Sequence, residues 1–139
     1  MELGGKSPHL IFESADLEQG EQVSESQCAT ANIYSAANWA IFGITWNTGQ
    51  DCTAGSRLYV QETVYNTFID SLVTKARQFV VGPGIQENAA GGPLVSKGQY
   101  DRVTGYIQAG ISEGATVACG GEKWKGRGYF VEPTSKSVI

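Results

Sequence analysis

This sequence predicts an α/β fold, a largely parallel sheet with flanking crossover helices. Three observations carry that reading. Short apolar runs bounded by glycine and proline recur along the chain, stretches with helical apolar periodicity lie between them, and the alternation persists almost to the carboxyl terminus.

The first strand candidate is His9-Leu10-Ile11-Phe12, which follows the breakers Gly4, Gly5 and Pro8. Arg57-Leu58-Tyr59-Val60 is the second, and residues 115–119 and 129–131 are two more. Between strands, residues 63–79 place Val64, Phe68, Leu72, Ala76 and Phe79 on one helical face, with Asp70, Lys75 and Arg77 elsewhere. Gly82, Pro83 and Gly84 stop that helix. Another begins at Ser96, where Gln99 three residues on completes a capping-box pattern ahead of the stripe Tyr100, Val103, Ile107 and Ile111.

One stretch breaks the pattern. Residues 20–35 are polar, end the helix opened by Asp16 and Leu17, and have no clear period of their own. Removing these 16 residues joins Gln19 to Ala36. Leu17, Ala36, Ala37, Ala40, Ile41 and Ile44 then share one helical stripe, so the stretch reads as an insertion.

Composition narrows the function classes. With 139 residues, 41% of them hydrophobic and 17% charged, the chain suits one globular core. The net charge is −4 and the basic residues are scattered, so nothing would collect the phosphates of a nucleic acid. Lys123, Lys125 and Arg127 around Trp124 read as a solvated turn. Cys28, Cys52 and Cys119 form no CxxC pair and accompany one histidine, which argues against a disulfide framework or a structural zinc site. No apolar run reaches the roughly 18 residues of a membrane span, and no secretory leader opens the chain. A cytoplasmic location is the default expectation, with no membrane partner.

Two local sequences carry a resemblance. Glu2-Leu3-Gly4-Gly5-Lys6-Ser7-Pro8 resembles the glutamate signature of the aldehyde dehydrogenase superfamily, and residues 47–57, Asn-Thr-Gly-Gln-Asp-Cys-Thr-Ala-Gly-Ser-Arg, resemble its cysteine signature. The likeness continues through Val60-Gln61-Glu62, Gly92-Pro93-Leu94-Val95, Glu113-Gly114-Ala115 and residues 128–134. It covers nearly the whole chain outside residues 20–35.

The resemblance implies oxidation of an aldehyde to a carboxylic acid with NAD or NADP. A thiolate adds to the carbonyl, hydride leaves to the nicotinamide, and water hydrolyses the thioester. Cys52 is then the nucleophile, its backbone N–H one half of an oxyanion hole, and Glu2 the base that activates water. In the family an upstream asparagine supplies the other half of the hole. The positions matching Leu3 and Gly4 lie along the nicotinamide and are the cofactor-contact candidates; the plain alternative is a turn that needs glycine. No metal site is expected.

Structural readings compete at each position. Cys119 sits in an apolar strand pattern and reads as a small buried hydrophobe, and Cys28 belongs to the inserted stretch. Gly5-Lys6-Ser7 resembles the tail of a phosphate-binding loop, but that loop's earlier glycine has no counterpart here. A cysteine–histidine hydrolase built from Cys52 and His9 rests on one histidine in a strand-like run.

Glu2 and Cys52 lie 50 positions apart. The family spacing is shorter by about the length of residues 20–35, the same stretch whose removal repairs the helix. Its edges are compatible with an intron retained in frame: codons for Gly20-Glu21 can contain GTGAG, those for Ala31-Asn32 CTAAC, and those for Ser35-Ala36 CAG.

Residues 1–139 thus read as a partial aldehyde dehydrogenase catalytic domain, with Met1 an internal methionine of a longer enzyme. The family's nucleotide-binding domain, its downstream ribose-holding glutamate and its oligomerisation strand have no counterpart in these residues. Full-length family members form homo-oligomers. The alternatives that stay open are a weak thiol esterase, which needs no nicotinamide, and an inactive remnant that pairs with a longer homologue through open sheet edges.

Overall fold

A computed structural model describes residues 4–13 and 25–137, except for the side chains of residues 25–34. Strand β1 (Pro8–Ile11) pairs in parallel with β2 (Arg57–Val60), in a register running from Pro8 opposite Arg57 to Ile11 opposite Val60. A parallel pair needs a long crossover, and helix α1 (Glu25–Thr45) lies in that connection. Helix α2 (Tyr65–Gln78) follows β2, entered through a short 3-10 turn at Glu62–Val64. Next come helix α3 (Lys97–Ser112) and an antiparallel pair, β3 (Thr116–Cys119) with β4 (Ser135–Ser137), irregular in register between Val117 and Cys119.

The core explains why α1 and α2 pack together. Ala36, Ala37 and Ala40 present a small, almost fully buried face, which lets α2 approach and seat Phe68 and Leu72 against them and against Ile11. Phe68 is wholly buried, which contributes roughly 2–3 kcal/mol of apolar transfer. Ile41, Leu58, Val60 and Ile69 border this cluster. The expected stripe of α1 is therefore present from Ala36 onward, while Leu17 lies outside the described residues.

Helix α3 starts as its sequence suggests, with Ser96 Oγ accepting from the Gln99 backbone N–H at 3.2 Å. Lys136 of β4 donates to the carbonyls of Tyr106 and Ile107 at 3.0 and 3.3 Å, and Tyr65 Oη donates to Ser137 Oγ at 3.1 Å. These bonds tie β4 to both α3 and α2.

Three local expectations differ from the structure. Residues 129–131 form no strand: the Tyr129 carbonyl accepts from Leu94 N–H at 2.8 Å, and Phe130 turns inward to stack on Trp124 with ring centroids 5.1 Å apart. The strand that pairs with β3 is instead the polar Ser135–Ser137, which has no apolar run to signal it. Residues 25–35, read from sequence as lacking a period, are helical and extend α1 toward its amino end. Helix propagation needs no apolar stripe once a packed segment has nucleated it.

Among the described residues, no helix is long and apolar enough to cross a membrane, and no cluster of His, Cys, Asp and Glu could hold a metal ion.

Candidate active site

The segment between α1 and β2 holds the candidate nucleophile, and its shape begins with how α1 ends. Thr45 Oγ1 bonds back to the Ile41 carbonyl at 2.7 Å, and the chain then turns left-handed at three consecutive residues. Asn47 has φ 49°, Thr48 φ 56° and Gly49 φ 72°. A left-handed β-branched residue is an outlier that costs about 1–3 kcal/mol, so its surroundings must hold it there.

Those surroundings are a chain of hydrogen bonds. Thr48 Oγ1 donates to the Asn47 carbonyl at 2.6 Å and accepts from Gln50 Nε2 at 2.7 Å. Asn47 Nδ2 donates to the Gln50 carbonyl at 2.9 Å, while the Gln50 N–H donates to the Asn47 carbonyl at 3.1 Å. Gln50 Oε1 also accepts from the Val95 N–H at 3.1 Å, across 45 residues. At Gly49 a β-carbon would lie 2.9 Å from the Ile44 carbonyl, so a side chain there meets backbone as well as a strained φ.

Cys52 lies just beyond this turn, exposed and free of any disulfide. Asp51 Oδ1 accepts from both the N–H and the hydroxyl of Thr53, at 2.7 and 2.6 Å, and the Ala54 N–H donates to the Asp51 carbonyl. The Thr53 hydroxyl, then its N–H, hold the Asp51 carboxyl below the usual aspartate range, with the Cys52 thiol a smaller contributor. Among the described residues the Cys52 backbone N–H donates to nothing. A free thiol and a backbone N–H with no acceptor among the described residues thus sit on one exposed residue.

The glutamate-signature segment meets this loop directly. A β-carbon on Gly5 would run into the Cys52 carbonyl, so the two backbones are in contact where only glycine fits. Arg57 Nε donates to the Lys6 carbonyl at 2.7 Å, and Arg57 N–H to the Ser7 carbonyl at 3.4 Å. Gly55 N–H donates to the Gly43 carbonyl at 3.0 Å, anchoring the far side of the loop to α1.

Of the sequence-predicted site residues, Cys52 and Gly4 fall within the described residues, and Glu2 and Leu3 fall outside them. Gly4 has φ 72°, and no described atom lies within 4 Å of where its β-carbon would be. A required glycine and an open backbone face coexist there. His9 sets its ring against Gly55, within 3.5 Å of that residue's β-carbon position, and makes no hydrogen bond to Cys52. A Cys52–His9 pair does not form. Cys119 is buried on β3, in keeping with its reading as a small hydrophobe.

Sequence reasoning missed Gln50 and Val95 as structural partners of the loop. Asn47 and Gly49 were a legible signal, since both residue types readily take positive φ, whereas the left-handed Thr48 between them was not. Beside the loop an open cleft is lined by Phe42, Trp46, Thr48, Gln50, Asp51 and Val95, among others. Trp39 and Phe42 of α1 and Trp46 just past its end form an exposed aromatic ladder, with successive centroids 5.7 and 5.2 Å apart.

Comparison with known proteins places this geometry in context. Residues 27–138 match the family model described as the aldehyde dehydrogenase family. An aldehyde dehydrogenase of Davidiella tassiana is 44% identical over 139 residues, and a mitochondrial aldehyde dehydrogenase of Leishmania tarentolae is 46% identical over 139 residues. Each of these alignments takes in all of this chain and 25% of the relative. The NAD+ complex of an aldehyde dehydrogenase from Bacillus cereus superposes with a TM-score of 0.82 at 45% identity, over 99% of this chain and 25% of that one. The chain therefore spans about a quarter of the length of the relatives it matches. With the family model matched over residues 27–138, more than half of its length, this chain belongs to the aldehyde dehydrogenase family.

Proposed function

We propose that this chain carries the nucleophile-bearing part of an aldehyde dehydrogenase, with Cys52 the nucleophile and Glu2 the base. The observation that carries the reading is Cys52 itself: the residue is exposed, its own N–H has no acceptor among the described residues, and its backbone rests on Gly5 three residues after Glu2.

The Cys52 sulfur bonds to the aldehyde carbon, and the charge that develops on the carbonyl oxygen is met by the Cys52 N–H. The chemistry supplied by bound NAD or NADP is acceptance of the hydride that leaves this adduct. Gly4 would leave room for a flat ring beside the backbone, since among the described residues nothing lies within 4 Å of where its β-carbon would be. Leu3 is the neighbouring contact. Glu2 then takes a proton from water as the new C–O bond forms and the C–S bond breaks, which releases the carboxylic acid and restores the thiol. The aromatic side of the neighbouring cleft, Phe42 and Trp46, offers an apolar wall for the organic part of the aldehyde.

The test is production of reduced nicotinamide, followed at 340 nm with a panel of aldehydes. Cys52→Ala is expected to lose at least 10³-fold in rate. Glu2→Gln is expected to stall after acylation, leaving an acyl mass increment on the Cys52 peptide. A rate unchanged in Cys52→Ala would overturn the reading. A second reading, thiol esterase chemistry without the redox step, is favoured by the same exposed sulfur and free N–H. Nicotinamide-independent hydrolysis of an activated ester, lost in Cys52→Ala, identifies it.

A further inference from the structure

We infer that Gln50 is a positioning residue for Cys52, a two-ended brace that fixes the sulfur relative to its own backbone N–H. The inference rests on the reading of Cys52 as nucleophile. Gln50 is half-buried, and both ends of its amide are used: Nε2 on Thr48 Oγ1 at 2.7 Å, and Oε1 on the Val95 N–H at 3.1 Å. The first bond continues through the Thr48 hydroxyl to the Asn47 carbonyl at 2.6 Å. One side chain thus links the left-handed pair Asn47–Thr48 to a segment that lies outside the loop.

The geometry needs such a brace because Asn47 and Thr48 are strained, with φ 49° and 56°. Left unsupported, they would relax toward ordinary backbone angles. Relaxation there turns the peptide planes of the following residues, and Cys52 is two residues beyond Gln50. The sulfur would stay exposed, but its direction relative to the N–H that receives the carbonyl oxygen would change. Displacements of about 1 Å cost on the order of 10²-fold when a reaction needs both groups at one carbonyl. A reaction at the sulfur alone has no such requirement.

That contrast supplies the test. p-Nitrophenyl acetate acylates a thiol by forming an S–C bond at a carbonyl while p-nitrophenolate departs and the thiol proton goes to solvent, so the developing oxyanion needs the N–H. Iodoacetamide alkylates the same sulfur by displacing iodide and needs no oxyanion donor. Both adducts on the Cys52 peptide are quantified by mass spectrometry in the whole chain, and the ratio of acylation to alkylation rates is compared between variants. Gln50→Met, which keeps the length but loses both bonds, is expected to lower the ratio about tenfold. Gln50→Asn keeps the amide but is too short to reach both partners, and a similar fall is expected; it decides the matter where Gln50→Met does not fold. General loosening of the fold would move both rates together and leave the ratio unchanged. A wild-type ratio retained in the variants, with Cys52 acylated normally, overturns the role of Gln50 and leaves the nucleophile reading intact. Failure of the wild-type chain to acylate at Cys52 overturns the nucleophile reading, and this inference with it.

Discussion

Gly5 stands against the Cys52 carbonyl with no room for a single methyl group between them, so two segments distant in sequence share one backbone contact. The closeness is steric and the partner is backbone, which cannot swing aside as a flexible side chain can. Gly5→Ala is therefore expected to destabilise the fold by about 1–3 kcal/mol and to lower any Cys52-dependent rate by on the order of 10²-fold. Denaturant midpoints and the 340 nm assay check the two effects. A variant that matches the wild type in both would show that the contact can be relieved without cost.

Asp51 makes stability depend on acid. Its carboxyl is held below the usual range by the Thr53 hydroxyl and N–H, so the folded state favours the ionised form. The contribution is complete above the unfolded aspartate value of about 3.9 and is lost as pH falls through the depressed folded value. Urea midpoints of wild type and Asp51→Asn should differ in favour of the wild type at neutral pH and converge as pH falls through the depressed folded value. A gap that is the same at both pH values would exclude this linkage.

Two substitutions separate core packing from local capping. Phe68 fills the space between α1 and α2 and is fully buried, so Phe68→Ala is expected to cost about 3–5 kcal/mol. Ser96→Ala removes the hydroxyl that accepts from Gln99 N–H and should cost only about 1 kcal/mol. Chemical denaturation measures both, and equal losses would mean that the core assignment is wrong.

We propose that residues 20–35 are an insertion within the helix that leads to Cys52. A variant lacking them joins Gln19 to Ala36 and returns Leu17 to the buried stripe of Ala36, Ala37 and Ala40. That variant should melt at a higher temperature than the full chain, by several degrees. A lower melting point argues against the insertion. Genomic and transcript sequence decide its origin, because codons incompatible with splice signals at its edges rule out a retained intron.

Apolar periodicity alone located β2 at Arg57–Val60, and it placed β1, β3 and the bodies of α2 and α3 to within a residue or two. It succeeded there because those faces are set by burial, which a 2- or 3.6-residue period encodes directly. It missed β4, because Ser135-Lys136-Ser137 pairs through backbone groups that any side chain can carry. It also assigned a strand to residues 129–131, where Phe130 is buried through a turn and by stacking on Trp124.

At the candidate site the division is sharper. The residue types are legible in the primary structure: a cysteine among small residues, and glycines following a glutamate. Packing of distant segments brought Gly5 to Cys52, left the Cys52 N–H without an acceptor among the described residues, set His9 against Gly55 and let Gln50 reach Val95. The physical reason is that local pattern records what each residue prefers to bury or turn. Contacts across 45 or more positions follow from how whole elements pack, and no short-range period carries that information.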